Sequence, residues 1–152
     1  MDLANFVFLC WNVRGLNARV RRDAIRNLIV STKATIVCLQ ETKIEEFTPY
    51  LVLECLGPGY DDFFYLPAEE TRGGILVAWD SSKICGDSCF RGEFSVSVRF
   101  SSPAASPFWV TSVYGPQDEP DKIRFLEEIK NTRTFCPGVW AVLGDFNLIL
   151  DA

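Results

Sequence analysis

A chain of 152 residues, 48% hydrophobic and 13% aromatic, has the size and composition of one packed domain, which excludes a disordered polymer. It contains no histidine, so Ser-His-Asp and Cys-His nucleophiles and histidine-held metals are excluded. The net charge of −5 is uneven: residues 1–33 hold six basic side chains against two acidic, and the remainder nine against eighteen.

The first apolar run, residues 6–11, reads as a buried strand that ends in the polar loop Asn12-Val13-Arg14-Gly15-Leu16-Asn17. Asn17 is placed to cap a helix whose apolar face is Val20, Ala24, Ile25, Leu28 and Ile29. Residues 34–39 form a second β-branched run, ending in Gln40-Glu41-Thr42-Lys43. Strand–helix–strand order implies parallel neighbours, which puts Asn12 and Glu41 on one edge of the sheet. A short helix is expected over 45–57, closed by Gly57-Pro58-Gly59.

Antiparallel strands follow at 60–66 and 75–79, joined through Arg72-Gly73-Gly74. Residues 94–100 alternate strictly, predicting one buried and one wet face. Residues 101–107, rich in Ser, Pro and Ala, read as a loop, and 108–114 as a strand finishing in Tyr114-Gly115-Pro116-Gln117. Asp118 and Pro120 open an acidic helix with Ile123, Leu126 and Ile129 on its core face. The run 139–143 then delivers Gly144, Asp145 and Asn147 at the end of a strand expected to be buried on both faces.

None of the six cysteines forms a CxxC pair, and Cys10 and Cys38 fall inside apolar runs, so reduced, mostly structural thiols are expected. No apolar run approaches the roughly 18 residues of a membrane span. Met1-Asp2-Leu3-Ala4-Asn5 lacks the basic stretch of a secretory signal. The expectation is an intracellular protein, nuclear or cytoplasmic and not secreted, without a membrane partner.

Four strands thus end in polar clusters: Asn12, Glu41, Tyr114, and Asp145 with Asn147. Each alone reads equally well as a turn. Together, at strand carboxyl ends, two carboxylates with amides and a phenol suit magnesium-assisted attack of water on a phosphate. The arginines at 14, 19, 21, 22 and 26 offer a second reading, a basic face that holds nucleic acid without catalysis.

The segments Trp11-Asn12-Val13-Arg14-Gly15-Leu16-Asn17, Leu39-Gln40-Glu41-Thr42-Lys43, Arg72-Gly73-Gly74-Ile75, Val113-Tyr114-Gly115-Pro116 and Leu143-Gly144-Asp145-Phe146-Asn147 resemble the endonuclease/exonuclease/phosphatase superfamily, in its order and across nearly the whole chain. The style is closest to the endonuclease domains of plant LINE-type retrotransposons. The resemblance implies an α/β fold, a four-layer α-β-β-α sandwich with its site at one end. It implies Mg²⁺- or Mn²⁺-dependent cleavage of phosphodiesters, with DNA as substrate. By it, Glu41 is the metal ligand, Asn12 positions metal or phosphate, and Tyr114 contacts phosphate. Asp145 orients the attacking water and Asn147 binds the scissile phosphate, with Arg14 and Gln117 as weaker phosphate contacts. The family's C-terminal acidic–histidine pair has no counterpart here. Residues 1–152 are therefore read as a single incomplete domain lacking its C-terminal strands, weakly active or inactive alone. A partner chain that supplies those strands, a non-catalytic binding module and a non-functional retrotransposon fragment remain open alternatives.

Overall fold

The computed structural model describes residues 6–70 and 72–148. In chain order the elements are β1 (Phe8–Asn12), α1 (Arg19–Thr32), β2 (Ile36–Gln40), α2 (Pro49–Leu56), β3 (Asp62–Leu66), β4 (Ile75–Trp79), β5 (Cys85–Arg91), β6 (Ser95–Ser102), β7 (Ala105–Tyr114), α3 (Glu119–Phe135) and β8 (Trp140–Asp145). They build two four-stranded sheets, ordered β1-β2-β4-β3 and β5-β6-β7-β8. Each sheet has one parallel pair, β1 with β2 and β7 with β8, and antiparallel neighbours otherwise. The expected four-layer α-β-β-α sandwich is what forms.

Side-chain alternation decides the layering. From β2 and β4, Val37, Leu39, Leu76 and Ala78 point towards α1 and α2, where they meet Ile25, Ile29, Val52 and Leu56. Their neighbours Ile36, Cys38, Ile75, Val77 and Trp79 point the other way, into a core shared with Val96, Val98, Phe100, Phe108 and Val110 of the second sheet. This double coverage explains why β2 and β4 read as unbroken apolar runs. On the far side α3 lays Phe125 against Phe94 and Val113. No helix among the described residues is long and apolar enough to cross a membrane.

Several local expectations are corrected. Asn17 does not cap α1: the N-cap is Ala18, without a side-chain bond, and the Asn17 amide instead reaches the Lys43 carbonyl at 3.5 Å. Val20 is 79% exposed, so the buried stripe of α1 narrows to Ile25 and Ile29. α2 starts at Pro49 rather than at 45, because Thr48 accepts from the Leu51 amide and proline suits the first helical position.

The supposedly wet face of β6 is buried under α3. Ser95 meets the Glu128 carboxylate at 2.8 Å, and Ser97 pairs with Thr111 at 2.8 Å, so hydroxyl pairing lets serines sit in a core. Residues 101–107 are the tip of a β6–β7 hairpin rather than a loop, with Ser102 paired to Ala105. β5 is absent from the sequence reading because its Gly, Asp and Ser residues carry no apolar alternation; it is an exposed edge strand held by the β6 ladder. In α3 the inward residues are Phe125 and Thr132, whereas Ile123 and Leu126 are exposed. β8 is only half-buried at every position, since among the described residues it pairs with β7 alone. Cys38 is buried as expected, but Cys10 is exposed on edge strand β1.

Candidate active site

The two parallel pairs bring the polar ends together. In the first sheet Asn12 is paired with Gln40, which puts Glu41 one step beyond the end of β2. In the second, Tyr114 is paired with Asp145 at the ends of β7 and β8. Across the sandwich, the Asn12 amide donates to Asp145 Oδ2 at 2.9 Å, a bond spanning 133 positions of sequence. Asp145 Oδ1 accepts the Asn147 backbone N–H at 3.0 Å, and Asn147 Nδ2 donates to the Gly115 carbonyl at 2.6 Å. Asn12, Tyr114, Asp145 and Asn147 therefore form one cluster, with Glu41 beside it. A Cβ on Gly144 (φ +139) would run into the Val113 backbone, so only glycine lets β8 deliver Asp145 this close to β7.

Glu41 is held by its neighbours' backbones. Val13 N donates to Gln40 O (3.0 Å), Gly15 N to Glu41 O (2.7 Å) and Leu16 N to Thr42 O (2.9 Å). From the other side Lys43 N donates to Gly73 O at 2.5 Å. The polar loop after β1 and the Arg72-Gly73-Gly74 turn thus form a cradle for the residues that follow β2. Among the described residues five non-glycine residues have positive φ, and four of them lie here: Arg14 (53°), Glu41 (56°), Lys43 (57°) and Asn147 (49°). Such conformations are unfavourable for side chains with a Cβ and persist where surrounding bonds over-determine them.

Electrostatically the cluster is dominated by its carboxylates. The Tyr114 phenol is pushed up to about 12, first by burial, then by the charge of Glu41 and a hydrogen bond to it, then by Asp145, with Arg14 opposing. It is a neutral donor at physiological pH. Although Cys10 is exposed as a residue, partial desolvation of its sulfur beside Gln40 raises the thiol, against the bond with Gln40, so Cys10 remains a thiol. Lys43 Nζ stands 3.8 Å from Glu41 Oε1.

Arg14 is exposed at the rim, its backbone N–H fixed to Asn12 Oδ1 at 3.1 Å. Gln117 is exposed too, lining depressions on both sides of the cluster, one with Tyr114 and Arg72 and one with Asn12, Asp145 and Asn147. A third depression is lined by Glu41, Lys43, Gly73 and Tyr114. The basic helix face is largely engaged internally. Arg21 donates to Val13 O (2.6 Å), Arg22 to Leu16 O (2.6 Å), and Arg26 to Glu54 O (2.9 Å) and Asp23 (2.6 Å).

Two contributors carried no role in the sequence reading. Gly73 packs between Glu41 and Tyr114: a Cβ there would stand 2.9 Å from Glu41 Cγ and 3.0 Å from Tyr114 Cε2. Its signals were the adjacent pair of glycines, which marks a turn equally well, and its place in the segment Arg72-Gly73-Gly74-Ile75, which assigned it no role. Gln40, in a strand buried throughout, reaches from the first sheet to Ser112 of the second at 3.1 Å. Among the described residues no group of three His, Cys, Asp or Glu side chains is arranged to enclose an ion.

With this geometry in place, a sequence model described as the Endonuclease/Exonuclease/phosphatase family matches residues 9–152. No curated protein matches the chain. Among solved structures, a humanized D. rerio TDP2 superposes with TM-score 0.70 at 13% identity, over 95% of this chain and 63% of that one. The endonuclease domain of TRAS1, a telomere-specific non-LTR retrotransposon, gives 0.69 at 19% identity, over 95% and 60%. The AP endonuclease LMAP of Leishmania major gives 0.65 at 20% identity, over 94% and 55%. The chain spans less than two thirds of each of these structures, and the likeness is one of fold.

Proposed function

Because the chain belongs to the Endonuclease/Exonuclease/phosphatase family, we propose that it is a divalent-metal-dependent phosphodiesterase domain acting on nucleic acid, with DNA as its substrate. The observation that carries this reading is the Asn12–Asp145 bond, which joins the ends of β1 and β8 beside Glu41 and Tyr114.

The donor set fits Mg²⁺ or Mn²⁺. Such an ion takes one or two carboxylates and keeps several waters, so it needs no enclosing cage. Glu41 would hold it, with Asn12 near enough to assist in placing ion or phosphate. Bound there, the ion supplies charge neutralisation on the phosphate oxygens.

The remaining roles belong to the chain's own side chains. Asp145, aimed by the donors of Asn12 and Asn147, orients a water and takes its proton as the oxygen attacks phosphorus. Tyr114, kept protonated, donates to a phosphate oxygen. One amide proton of Asn147 is engaged by Gly115, leaving the other for the scissile phosphate. Arg14 and Gln117 stand at the rim for flanking phosphates. These residues supply no histidine, so the leaving oxygen takes its proton from solvent. The reading as a purely basic binding module is weakened by the internal bonds of Arg21, Arg22 and Arg26.

Nicking of supercoiled DNA with Mg²⁺ tests the proposal, comparing wild type with Glu41→Ala and Asp145→Ala. Metal-dependent nicking lost in both variants supports it; equal residual rates in all three proteins reject it.

A further inference from the structure

Gln40 stands where stability alone would place an aliphatic residue. Every residue of β2 is buried, and Gln40 itself is 1% exposed on the face where Ile36 and Cys38 meet the second sheet. Its amide is nevertheless fully engaged. Nε2 donates to Ser112 Oγ on β7 at 3.1 Å, to its own strand at Cys38 O (3.3 Å), and lies 3.5 Å from Cys10 Sγ on β1. Oε1 faces the Cys10 thiol at 3.8 Å. Among the described residues, the Gln40–Ser112 bond is the one fully buried hydrogen bond that crosses from sheet to sheet.

The three strands tied by this amide are those that deliver Asn12, Glu41 and Tyr114. Cys10 lies two residues before Asn12, Gln40 one before Glu41, and Ser112 two before Tyr114. Apolar contacts between sheets are non-directional and tolerate sliding, whereas an amide with fixed donors and acceptors defines a register. Beyond this layer the backbone at Arg14, Glu41, Lys43 and Asn147 turns to positive φ.

We propose that Gln40 is a positioning residue: its amide fixes the spacing of β1, β2 and β7, and thereby sets Glu41 against Tyr114 and Asn12. The proposal rests on the phosphodiesterase reading for its kinetic consequence, but not for its structural one. A Gln40→Met variant keeps the length and apolar packing of the side chain while removing every hydrogen bond. Such volume-conserving swaps are tolerated in cores. Ser112→Ala removes the same cross-sheet bond from the other side.

The experiment follows the two single variants and the double variant in ¹³C/¹⁵N-labelled protein. It reads the melting transition, the Tyr114 ring Cζ and Asn12 side-chain amide resonances, and the kcat and KM of Mg²⁺-dependent DNA cleavage. The expected result is a retained cooperative melt with displaced Tyr114 and Asn12 resonances. The kcat should fall about tenfold or more with KM little changed, as a misplaced catalytic group demands. The double variant should be no worse than Gln40→Met alone, because Gln40→Met already removes the bond that Ser112→Ala removes. Wild-type resonances and kcat in Gln40→Met would overturn the proposal, as would additive effects in the double variant. If Gln40→Met does not fold, Ser112→Ala decides by the same resonances. Absence of cleavage in the wild type would defeat the phosphodiesterase reading alone, and the resonances would still judge Gln40.

Discussion

The two ends of the sandwich are built on opposite terms. At one end Phe8, Trp79, Phe100 and Phe108 stack edge to face or tilted, with ring centroids 5.1 to 6.2 Å apart, in a cluster without charge. At the other, the same sheets finish in carboxylates, amides and a phenol, on a backbone that holds Arg14, Glu41, Lys43 and Asn147 at positive φ. The aromatic end gains by burying apolar area. The polar end gives up local backbone comfort for fixed donors and acceptors. Stability and chemistry are therefore separable along one axis, and substitutions at either end should move different observables.

The sharpest separation is expected at Asp145. Asp145→Asn removes the proton acceptor but keeps the shape, and should lower kcat about 10²- to 10⁴-fold with the melting temperature little changed. Equal loss of stability and rate would mean the polar end also carries the fold. The mirror experiment is Phe100→Ala, which should cost about 3–5 kcal/mol in urea unfolding while the folded fraction cleaves at the wild-type rate.

A finer probe is Gly73→Ala. The added methyl would meet both Glu41 and Tyr114 at about 3 Å, so one of them must shift. The expected kcat loss is about ten- to a hundredfold, without a comparable loss of stability. A wild-type rate would show that Glu41 and Tyr114 need not keep this spacing.

The smallest effect concerns pH. The folded state raises the Tyr114 phenol from 10.0 to about 12, so it holds its proton more tightly than the unfolded chain does. Its contribution to stability is fully present below pH 10 and fades as pH rises through about 12. Tyr114→Phe should flatten that alkaline decline and leave the neutral range alone. An unchanged alkaline slope, measured by denaturant unfolding across this range, would place Tyr114 outside the carboxylates' field.

Much of this was legible in the sequence, for identifiable reasons. β2 and β4 declare themselves because both their faces are buried, leaving no polar residue to blur the run. The convergence of Asn12, Glu41, Tyr114 and Asp145 at one end is legible because each closes such a run, and parallel pairing puts those closures on one side. What stayed hidden depends on partners distant in sequence. β5 is a strand only because β6 offers it a ladder. The serines of β6 read as solvent-facing until Glu128 and Thr111 arrive to bond them. α3 looks amphipathic about Ile123 and Leu126, yet packing selects Phe125, whose ring meets Phe94 at 5.7 Å. Gly73 likewise reads as a turn until β7 sets Tyr114 against it.

The central claim is that Glu41 and the Asn12–Asp145 pair serve one metal-and-phosphate site. Titrating labelled protein with Mn²⁺ and following paramagnetic broadening of the Asn12 and Asn147 side-chain amides tests it without any substrate. Selective, saturable broadening of these amides, abolished in Glu41→Gln and reversed by excess Mg²⁺, is the predicted result. Uniform weak broadening across the acidic surface, unchanged in Glu41→Gln, would contradict it.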